Sequence, residues 1–189
     1  PTVVKADGLA AGKGVIICKN KEESRQALDS IFQDQAFGDA GNKVVIEEFL
    51  EGEEASFIAV VSKDKIIPLA TSQDHKAVGE GDIGLNTGGM GAYSPAPIVD
   101  EHIHEKIINE VMKPTVEGLI AEGFPYLGFL YAGLMIKDGE LKVLEFNCRF
   151  GDPETQPILI RLKSSLVELC LAAINDEMDM YDISWTDKH

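Results

Sequence analysis

Residues 144–155 read LEFNCRFGDPET, in which apolar side chains alternate with a carboxylate, an amide and a guanidinium group. In an extended strand alternate side chains lie on one face, about 7 Å apart, so Glu145, Asn147 and Arg149 share a face. A carboxylate with a neutral oxygen ligand suits Mg²⁺ when phosphates supply its other ligands. Because an arginine can also hold a phosphoryl group through two hydrogen bonds, this face predicts a metal–phosphate site.

The opposite face of the same strand is predicted to be core. Its side chains are Leu144, Phe146, Cys148 and Phe150. An alternative interpretation of the polar face is a plain Glu–Arg ion pair on a solvated strand. Asp152 and Glu154 follow at once, and a surface ion pair accounts less well for so many acids around one arginine.

A glycine-rich loop near the N-terminus reads DGLAAGKG, residues 7–14, and follows Lys5. Glycines allow backbone N–H groups to approach an anion, and lysines add positive charge. We therefore expect phosphate contacts at Lys5, Gly8, Lys13 and Gly14. The loop does not have Walker A spacing, since neither Ser nor Thr follows Lys13. A hairpin loop that is merely rich in small residues is the alternative.

Residues 44–54 read VVIEEFLEGEE, an apolar strand that runs into carboxylates. This pattern suits an adenine slot, because backbone groups can pair with the adenine edge while carboxylates accept from its amine and from ribose hydroxyls. The predicted contacts are Phe49 and Leu50 for the adenine edge, Glu47 or Glu48 for the exocyclic amine and Glu54 for the ribose. The alternative is a solvated strand end.

The remaining patterns predict an α+β fold in two parts. Up to residue 70 the order of elements is β-β-α-β-β, which predicts a small α+β subdomain over 1–70 and a second one over 71–189. Residues 71–97 lack periodicity and are rich in glycine, which favours a functional loop over a linker. The second part is predicted to contain a helix over 103–122 kinked at Pro114, strands over 128–136 and 141–146, and a helix over 154–174.

Composition restricts the function further. A formal net charge of -15 argues against partners that are nucleic acids or anionic membranes, since both would repel the chain. Three widely spaced cysteines without a CxxC pair argue against disulfides or a zinc site and favour the cytoplasm. No apolar run approaches the roughly 18 residues of a membrane span.

Five segments together resemble the ATP-grasp enzymes, and among them the glycinamide ribonucleotide synthetase (phosphoribosylamine–glycine ligase) family. The segments are residues 5–15, 46–54, 72–76, 86–95 and 144–155. The resemblance extends from Pro1 to about residue 175. It implies an ATP-grasp fold, in which 1–70 is a small lid subdomain and 71–189 is a core subdomain with an antiparallel sheet, helices and the metal site.

The resemblance also implies a reaction of de novo purine biosynthesis. ATP would phosphorylate glycine to an acyl phosphate, and the amine of 5-phosphoribosylamine would attack it to form an amide. On this interpretation Lys5 and Lys13 hold the ATP phosphates, Glu145 and Asn147 bind Mg²⁺ or Mn²⁺, and Arg149 stabilises the transferred phosphoryl group. Residues implied for the two substrates are Asp74, Lys76, Asp152, Glu154 and the loop 86–91.

The sequence departs from the wider ATP-grasp pattern in one respect. Many members carry a further carboxylate or Gln about a dozen residues before the metal-binding Glu, where this chain reads YAGL, residues 131–134. Either two protein ligands suffice, or Asp152 or the loop 86–91 supplies the missing oxygen.

The chain begins at Pro1 and enters a strand-like run directly, so we expect a fragment that lacks the N- and C-terminal domains of its family and is inactive as a ligase alone. Another ATP-grasp carboxylate–amine ligase and a nucleotide-binding module without chemistry are the alternative functions.

Overall fold

The computed structural model describes residues 1–8, 10, 14–80, 83–87 and 89–186. The chain divides into two compact units, Pro1–Leu50 and Glu51–His189, and each has its own sheet and its own hydrophobic core. All strand pairs that the structure describes are antiparallel, and helices lie between and after the strands. The predicted α+β class is therefore confirmed.

The first unit is a three-stranded sheet with one helix. Its elements are β1 (Thr2–Ala6), β2 (Val15–Cys18), α1 (Lys21–Phe32), a 3-10 turn (Gly38–Asn42) and β3 (Val44–Glu48), with sheet order β2-β1-β3. Asn20 begins the helix by accepting hydrogen bonds from the backbone N–H groups of Glu22 and Glu23. The helix packs on the sheet through the buried residues Val4, Cys18, Ala27 and Ile31.

The second unit contains the larger sheet, with strand order β11-β10-β4-β5. Its elements in chain order are β4 (Glu53–Ser62), β5 (Lys65–Pro68), β6 (Gln73–Asp74), β7 (Ala77–Gly79), β8 (Ile83–Asn86), β9 (Ala92–Tyr93), α2 (Glu101–Ile107), a π-helical turn (Ile108–Met112), α3 (Lys113–Ala121), β10 (Leu127–Lys137), β11 (Glu140–Asn147), α4 (Thr155–Arg161), α5 (Leu166–Ile174) and a 3-10 turn (Met178–Met180). Two short ladders accompany the sheet, since β6 pairs with β9 and β7 pairs with β8.

Helices cover both faces of the two central strands, β4 and β10. On one face, Phe57 and Leu134 belong to a cluster with residues of α2, the π-helical turn and α3. On the other face, Ile58 packs in a cluster with Ile158 of α4 and Leu169 of α5. Because alternate residues of β4 point to opposite faces, burial on both sides explains its nearly continuous apolar sequence.

The boundary between the two parts lies about twenty residues earlier than the predicted division at residue 70. The predicted division places β4 and β5 in the first part, yet they belong to the sheet of the second unit. The physical reason is the pairing of β4 with β10, which runs from Glu53 opposite Ile136 to Ser62 opposite Leu127. Local sequence patterns predict both strands, but they do not show that β4 pairs with β10.

The predicted continuous helix over 154–174 is wrong, because the structure has α4 and α5 instead. Leu162 is extended and forms an isolated β-bridge with Trp185, which ends the first helix. Ser165 then begins the second helix by accepting a hydrogen bond from the backbone N–H of Glu168. A bridge to a residue 23 positions later leaves no signal in local periodicity.

Two other predictions are modified by the structure. Residues 71–97, expected to lack regular structure, contain the four short strands β6 to β9. Pro114 lies at the start of α3 and follows a π-helical turn, which accommodates its missing N–H. In the described part of the chain, no helix is both long enough and apolar enough to cross a membrane.

The predicted core face of the 144–155 segment is wrong for Phe146 and Cys148 and confirmed for Phe150. Phe146 is 42% exposed and Cys148 is exposed, because β11 is an edge strand whose outer end the helices do not cover. Because the strand ends at Asn147, the alternation of side chains between the two faces stops there. Phe150 packs on the cluster that contains Ile58 and Ile158, on the other face of the sheet from Phe146, and its ring centroid lies 4.1 Å from that of Phe129.

Candidate functional site

Gly133 lies at the centre of a polar row that crosses the larger sheet. It is the cross-strand partner of Ser56 on β4 and of Glu145 on β11, and partners in an antiparallel pair point to the same face. A Cβ atom at Gly133 would lie 3.3 Å from Glu145 Cγ. The glycine therefore leaves room for the carboxylate over the middle of the sheet.

The predicted metal ligands are neighbours at the end of β11. Asn147 Nδ2 donates a hydrogen bond to Glu145 Oε1 at 3.1 Å, and both residues are accessible to solvent. Arg149 follows the strand, where its Nη1 donates to the carbonyl oxygen of Phe150 at 2.7 Å. Among the described residues Arg149 forms no ion pair, so the alternative of a Glu–Arg surface pair is not what the structure shows.

Glu154 occupies the opposite environment and is only 2% exposed. Its Oε1 accepts hydrogen bonds from Ser56 Oγ at 2.7 Å and from the Tyr131 hydroxyl at 3.0 Å. Burial and the charge of Glu154 raise the pKa of Tyr131, which keeps its hydroxyl protonated as a donor. Two donors from two strands thus fix one oxygen of this carboxyl group.

Asp74 lies on β6 and is 8% exposed, and its Oδ1 has no hydrogen-bond partner within the described residues. Burial, reinforced by the charge of Glu154, raises the pKa of Asp74 from its ordinary 3.8 to about 6. Two carboxyl groups close enough to interact therefore share the interior of the second unit.

Lys76 supplies the nearby positive charge. Its Nζ donates to Glu54 Oε2 at 3.0 Å. Burial lowers the pKa of Lys76, but the charges of Glu54, Glu145 and Asp74 outweigh burial and raise it overall. The structure thus brings Glu54, Asp74, Lys76, Glu145 and Glu154 into one electrostatically connected group.

Asp152, the residue proposed to replace the missing carboxylate of the YAGL segment, is exposed. The carboxyl group that contacts the YAGL segment is instead that of Glu154, which accepts a hydrogen bond from the Tyr131 hydroxyl. Glu154 follows β11 in the chain, whereas the YAGL segment belongs to β10.

The predicted adenosine contacts divide between the two units. Glu47, Glu48, Phe49 and Leu50 belong to the first unit, while Glu54 belongs to the second. Lys5 Nζ lies 2.6 Å from Glu47 Oε2, and both side chains keep part of their surface exposed. Phe49 is 37% exposed, which leaves an aromatic surface at the end of β3.

The glycine-rich loop is described only in part, and Lys13 lies outside the described residues. The N–H of Gly8 donates to the carbonyl oxygen of Ala40 at 3.0 Å, so that amide is already used within the protein. A Cβ atom there would lie 2.5 Å from Ala40 Cα, which explains the glycine. Gly14 closes the loop, since its carbonyl oxygen accepts from Ala6 N at 2.8 Å.

Three residues that sequence reasoning missed belong to the same interior as Glu154. They are Ser56, Ser72 and Tyr131, all at most 5% exposed. Ser56 and Tyr131 are hydroxyl residues inside runs that are otherwise apolar, and an isolated polar residue in such a run is the signal that could have identified them.

The donor set fits a hard divalent cation. Within the described residues, no group of three or more His, Cys, Asp or Glu side chains is arranged to hold a metal by itself. A carboxylate and an amide at Glu145 and Asn147 are oxygen ligands, which suit Mg²⁺ or Mn²⁺ better than zinc. Such an ion would take its other ligands from water and phosphate.

Cavity size does not identify this site. Two concave regions of the second unit, each of about 440 Å³, are lined by other residues and include none of the predicted site residues. Hydrogen bonding, burial and charge identify it instead.

Residues 1–155 match the model of a family described as phosphoribosylglycinamide synthetase, ATP-grasp (A) domain. The chain is 62% identical over 186 residues to the phosphoribosylamine–glycine ligase of Vibrio parahaemolyticus. The aligned region covers 98% of this chain and 43% of that protein. The crystal structure of phosphoribosylamine–glycine ligase from Thermotoga maritima superposes with a TM-score of 0.85 at 40% identity, covering 93% of this chain and 44% of that one. The chain therefore spans less than half the length of these relatives.

A more distant structure shares the fold alone. The biotin carboxylase domain of the Hydrogenobacter thermophilus 2-oxoglutarate carboxylase, solved with MgADP, ADP and bicarbonate, superposes with a TM-score of 0.73 at 18% identity. The match covers 98% of this chain and 39% of that one. Together with the family match, these similarities confirm the predicted ATP-grasp fold.

Proposed function

We propose, from the premise that this chain belongs to the phosphoribosylglycinamide synthetase ATP-grasp (A) domain family, that it binds ATP and a divalent cation for an ATP-dependent ligase that joins glycine to 5-phosphoribosylamine. Its main support is the solvent-accessible pair of Glu145 and Asn147, beside an arginine that no described carboxylate neutralises. The reaction would proceed through glycyl phosphate and release ADP and phosphate, in the cytoplasm, as a step of purine biosynthesis.

Glu145 and Asn147 are the proposed ligands of Mg²⁺ or Mn²⁺. The bound cation would offset the negative charge of the nucleotide phosphates. Gly133 keeps space open over Glu145, and Lys76 places a second positive charge in the same group. Arg149 has a guanidinium that is accessible to an anion, so it is the proposed contact of the transferred phosphoryl group.

The first unit is proposed to contribute the remaining nucleotide contacts. Lys5 is the candidate phosphate ligand that the structure describes, and its pairing with Glu47 would loosen when a phosphate competes for the ammonium. Phe49 and Leu50 are the proposed adenine contacts, together with Glu47 and Glu48. Glu54, which already accepts from Lys76, is the proposed ribose contact.

The substrates are proposed to bind near the buried carboxyl groups. Asp74 and Glu154 are enclosed and close enough to influence each other, whereas Asp152 is exposed. No side chain is needed as a nucleophile, because orientation and electrostatic stabilisation suffice for phosphoryl and acyl transfer. Because the chain spans less than half of its relatives' length, turnover is proposed only for a protein that also carries their remaining length.

Trapping of the acyl phosphate tests the proposal. The full-length protein, given ATP, Mg²⁺ and glycine with hydroxylamine in place of phosphoribosylamine, is expected to form glycine hydroxamate and ADP in equal amounts. Acetate, formate and alanine serve as matched carboxylates and are expected to give little ADP. If another carboxylate stimulates ADP release better than glycine, the protein is a different carboxylate–amine ligase, and if no carboxylate does, it lacks this chemistry.

A further inference from the structure

A concave region of about 440 Å³ in the second unit lies apart from the proposed cation ligands. It is lined by Pro68, the last residue of β5, and β5 is the edge of the larger sheet opposite to β11, which carries Glu145. Because neighbouring strands are about 4.8 Å apart, these two edges are separated by about 14 Å. A ligand in this region would therefore be distinct from one at the metal edge, and the volume is in the range of small-molecule sites.

Arg161 supplies the positive charge of this region. It is the last residue of α4, and within the described residues it forms no ion pair with a carboxylate. His104 also lines the region, but burial lowers the pKa of its imidazole from the ordinary 6.5, so the ring is uncharged at neutral pH. No lysine is among the described lining residues. The guanidinium thus lacks a counter-ion in a chain whose formal net charge is -15.

One edge of the Arg161 guanidinium is nearly free of hydrogen bonds. Nη1 donates to Ser94 Oγ at 2.9 Å, which fixes the side chain. Nε is buried and has no partner within the described residues, and Nη2 reaches the carbonyl oxygen of Thr186 only at 3.4 Å, near the limit of a hydrogen bond. Nε and Nη2 lie on one edge of the planar group, where a carboxylate accepts from both at once. The geometry therefore leaves a paired donor for an oxyanion.

Trp185 provides an aromatic wall in the same region. Its backbone is fixed by an isolated β-bridge to Leu162, and the next residue, Thr186, donates its N–H to the carbonyl oxygen of Arg161 at 2.8 Å. Further apolar surface comes from Leu69, Val99 and Ile183. An apolar body can therefore pack here while its charged end meets the guanidinium.

The charge of the ligand is restricted by Asp100 and Glu101, which line the region and are exposed. The Asp100 carboxylate also begins α2, since its Oδ1 accepts from the backbone N–H of Ile103 at 2.8 Å, so it is held in place. Two fixed carboxylates repel an approaching anion in proportion to its charge. A singly charged carboxylate is therefore favoured over a doubly charged phosphate.

We infer that this region binds a carboxylate carried on an apolar or aromatic body, held by the guanidinium of Arg161 and packed against Trp185. The site goes beyond the proposed function, because none of its residues is a proposed contact of ATP, the cation or the substrates. Glycine is not a ligand of this site, since it has no apolar body to cover the indole.

Fluorescence of Trp185 tests the inference directly, because it is the single tryptophan of the chain. The chain is titrated at constant ionic strength with benzoate, benzyl alcohol, benzylammonium and phenyl phosphate. Benzoate is expected to change the fluorescence saturably, and the other three to bind at least about 10-fold more weakly, because they lack the carboxylate or are repelled by the exposed acids. The inference is wrong if benzoate does not bind, or if any of the other three binds as tightly.

Two variants of Arg161 test the donor pair. Arg161→Met is expected to weaken benzoate at least about 10-fold and to leave the weaker binding of benzyl alcohol unchanged. Arg161→Lys keeps the charge but not the paired donors, so it is also expected to weaken benzoate, and it serves if the methionine variant does not fold. Unchanged benzoate affinity in either folded variant would refute the site.

Two control variants separate the guanidinium from its structural role. Ser94→Ala removes the hydrogen bond to Nη1 but keeps the guanidinium, so it is expected to lower the melting temperature and to retain benzoate binding. Arg25→Met removes an exposed arginine of the first unit and should leave benzoate affinity unchanged. Losses in either control equal to that in Arg161→Met would mean that benzoate affinity does not depend on this guanidinium.

The full-length protein provides the last comparison. It is expected to bind benzoate as the chain does, with the same loss in Arg161→Met. If the chain binds benzoate and the full-length protein does not, the remaining length of the protein covers the region, and the assignment to a small carboxylate is wrong.

Discussion

Glu145 and Glu154 are two carboxyl groups nine residues apart in the same segment, and the protein treats them in opposite ways. Glu145 lies at an exposed sheet edge, where its described partner is the neighbouring amide of Asn147. Glu154 is 2% exposed and one of its oxygens is held by donors from two strands. The first keeps a carboxyl group accessible to a ligand, whereas the second fixes the orientation of a carboxyl group before any ligand binds.

This difference indicates how the two groups would respond to substitution. An exposed carboxylate contributes little to stability, so its loss should appear as lost ligand affinity. A buried, hydrogen-bonded group contributes to the fold as well, so changes around it should alter the free energy of unfolding. Four substitutions test this division.

Glu145→Gln is expected to give the largest effect, and on binding alone. We expect the Mg²⁺-dependent part of ATP affinity to fall about 100-fold or more, equivalent to about 3 kcal/mol, since even loss of a residue behind a metal ligand costs about 10- to 100-fold. Calorimetric titration of an ATP analogue with and without Mg²⁺ measures it. Glu140→Gln on the same strand removes only an exposed partner of Lys106 and should bind ATP normally. Equal losses of ATP affinity in both variants would mean that Glu145 has no special role in binding the metal.

Asp74→Asn is expected to stabilise the free protein at high pH. The folded-state pKa of about 6 lies above the ordinary 3.8, so the folded state binds more protons between these values and the stability contributed by protonated Asp74 is lost as pH rises through that window. The loss amounts to about 3 kcal/mol at most. Because asparagine keeps a buried amide, we expect a gain of about 2 kcal/mol at pH 8 and almost none at pH 4.

Denaturant unfolding at several pH values measures this gain. Asp64→Asn, at an exposed turn, is the matched control and should leave the free energy of unfolding within about 0.5 kcal/mol at every pH. A gain from Asp74→Asn that does not depend on pH would contradict the assigned cause.

Tyr131→Phe is expected to destabilise the protein by about 1–2 kcal/mol, because a buried hydrogen bond to Glu154 is lost without leaving a cavity. Tyr181→Phe removes a hydroxyl that donates to Ser165 O at 2.7 Å near the surface and should cost less than about 0.5 kcal/mol. Urea unfolding of both variants provides the comparison. Similar losses would mean that burial does not separate the two environments.

Lys5→Gln is expected to have the smallest effect on stability. Its ion pair with Glu47 is partly exposed, so the free energy of unfolding should change by less than about 1 kcal/mol, and 1 M salt should abolish the change. Thermal unfolding at low and high salt measures both. A larger loss of the free energy of unfolding, or one that salt does not change, would mean that Lys5 behaves as a buried charge and not as an exposed one.

The sequence predicted the exposed part of the site more fully than the buried part. Alternation along one strand was sufficient to place Glu145 and Asn147 side by side, because period-two geometry is local. Its core prediction failed at Phe146 and Cys148, whose exposure depends on which strand is at the edge of the sheet. The division at residue 70 failed for the same reason, since pairing of β4 with β10 joins positions about seventy residues apart.

The amino-acid sequence alone was enough to establish the α+β class and the ATP-grasp resemblance, and it predicted the residues of the metal–phosphate pattern; all of these depend on local order along the chain. Only the tertiary structure brought Ser56, Ser72 and Tyr131 to the carboxyl groups of Asp74 and Glu154. These residues come from four different segments and meet only because antiparallel register sets which side chains share a face. Burial there leaves Ser72 Oγ and Asp74 Oδ1 unsatisfied within the described residues, and no pattern in sequence records that.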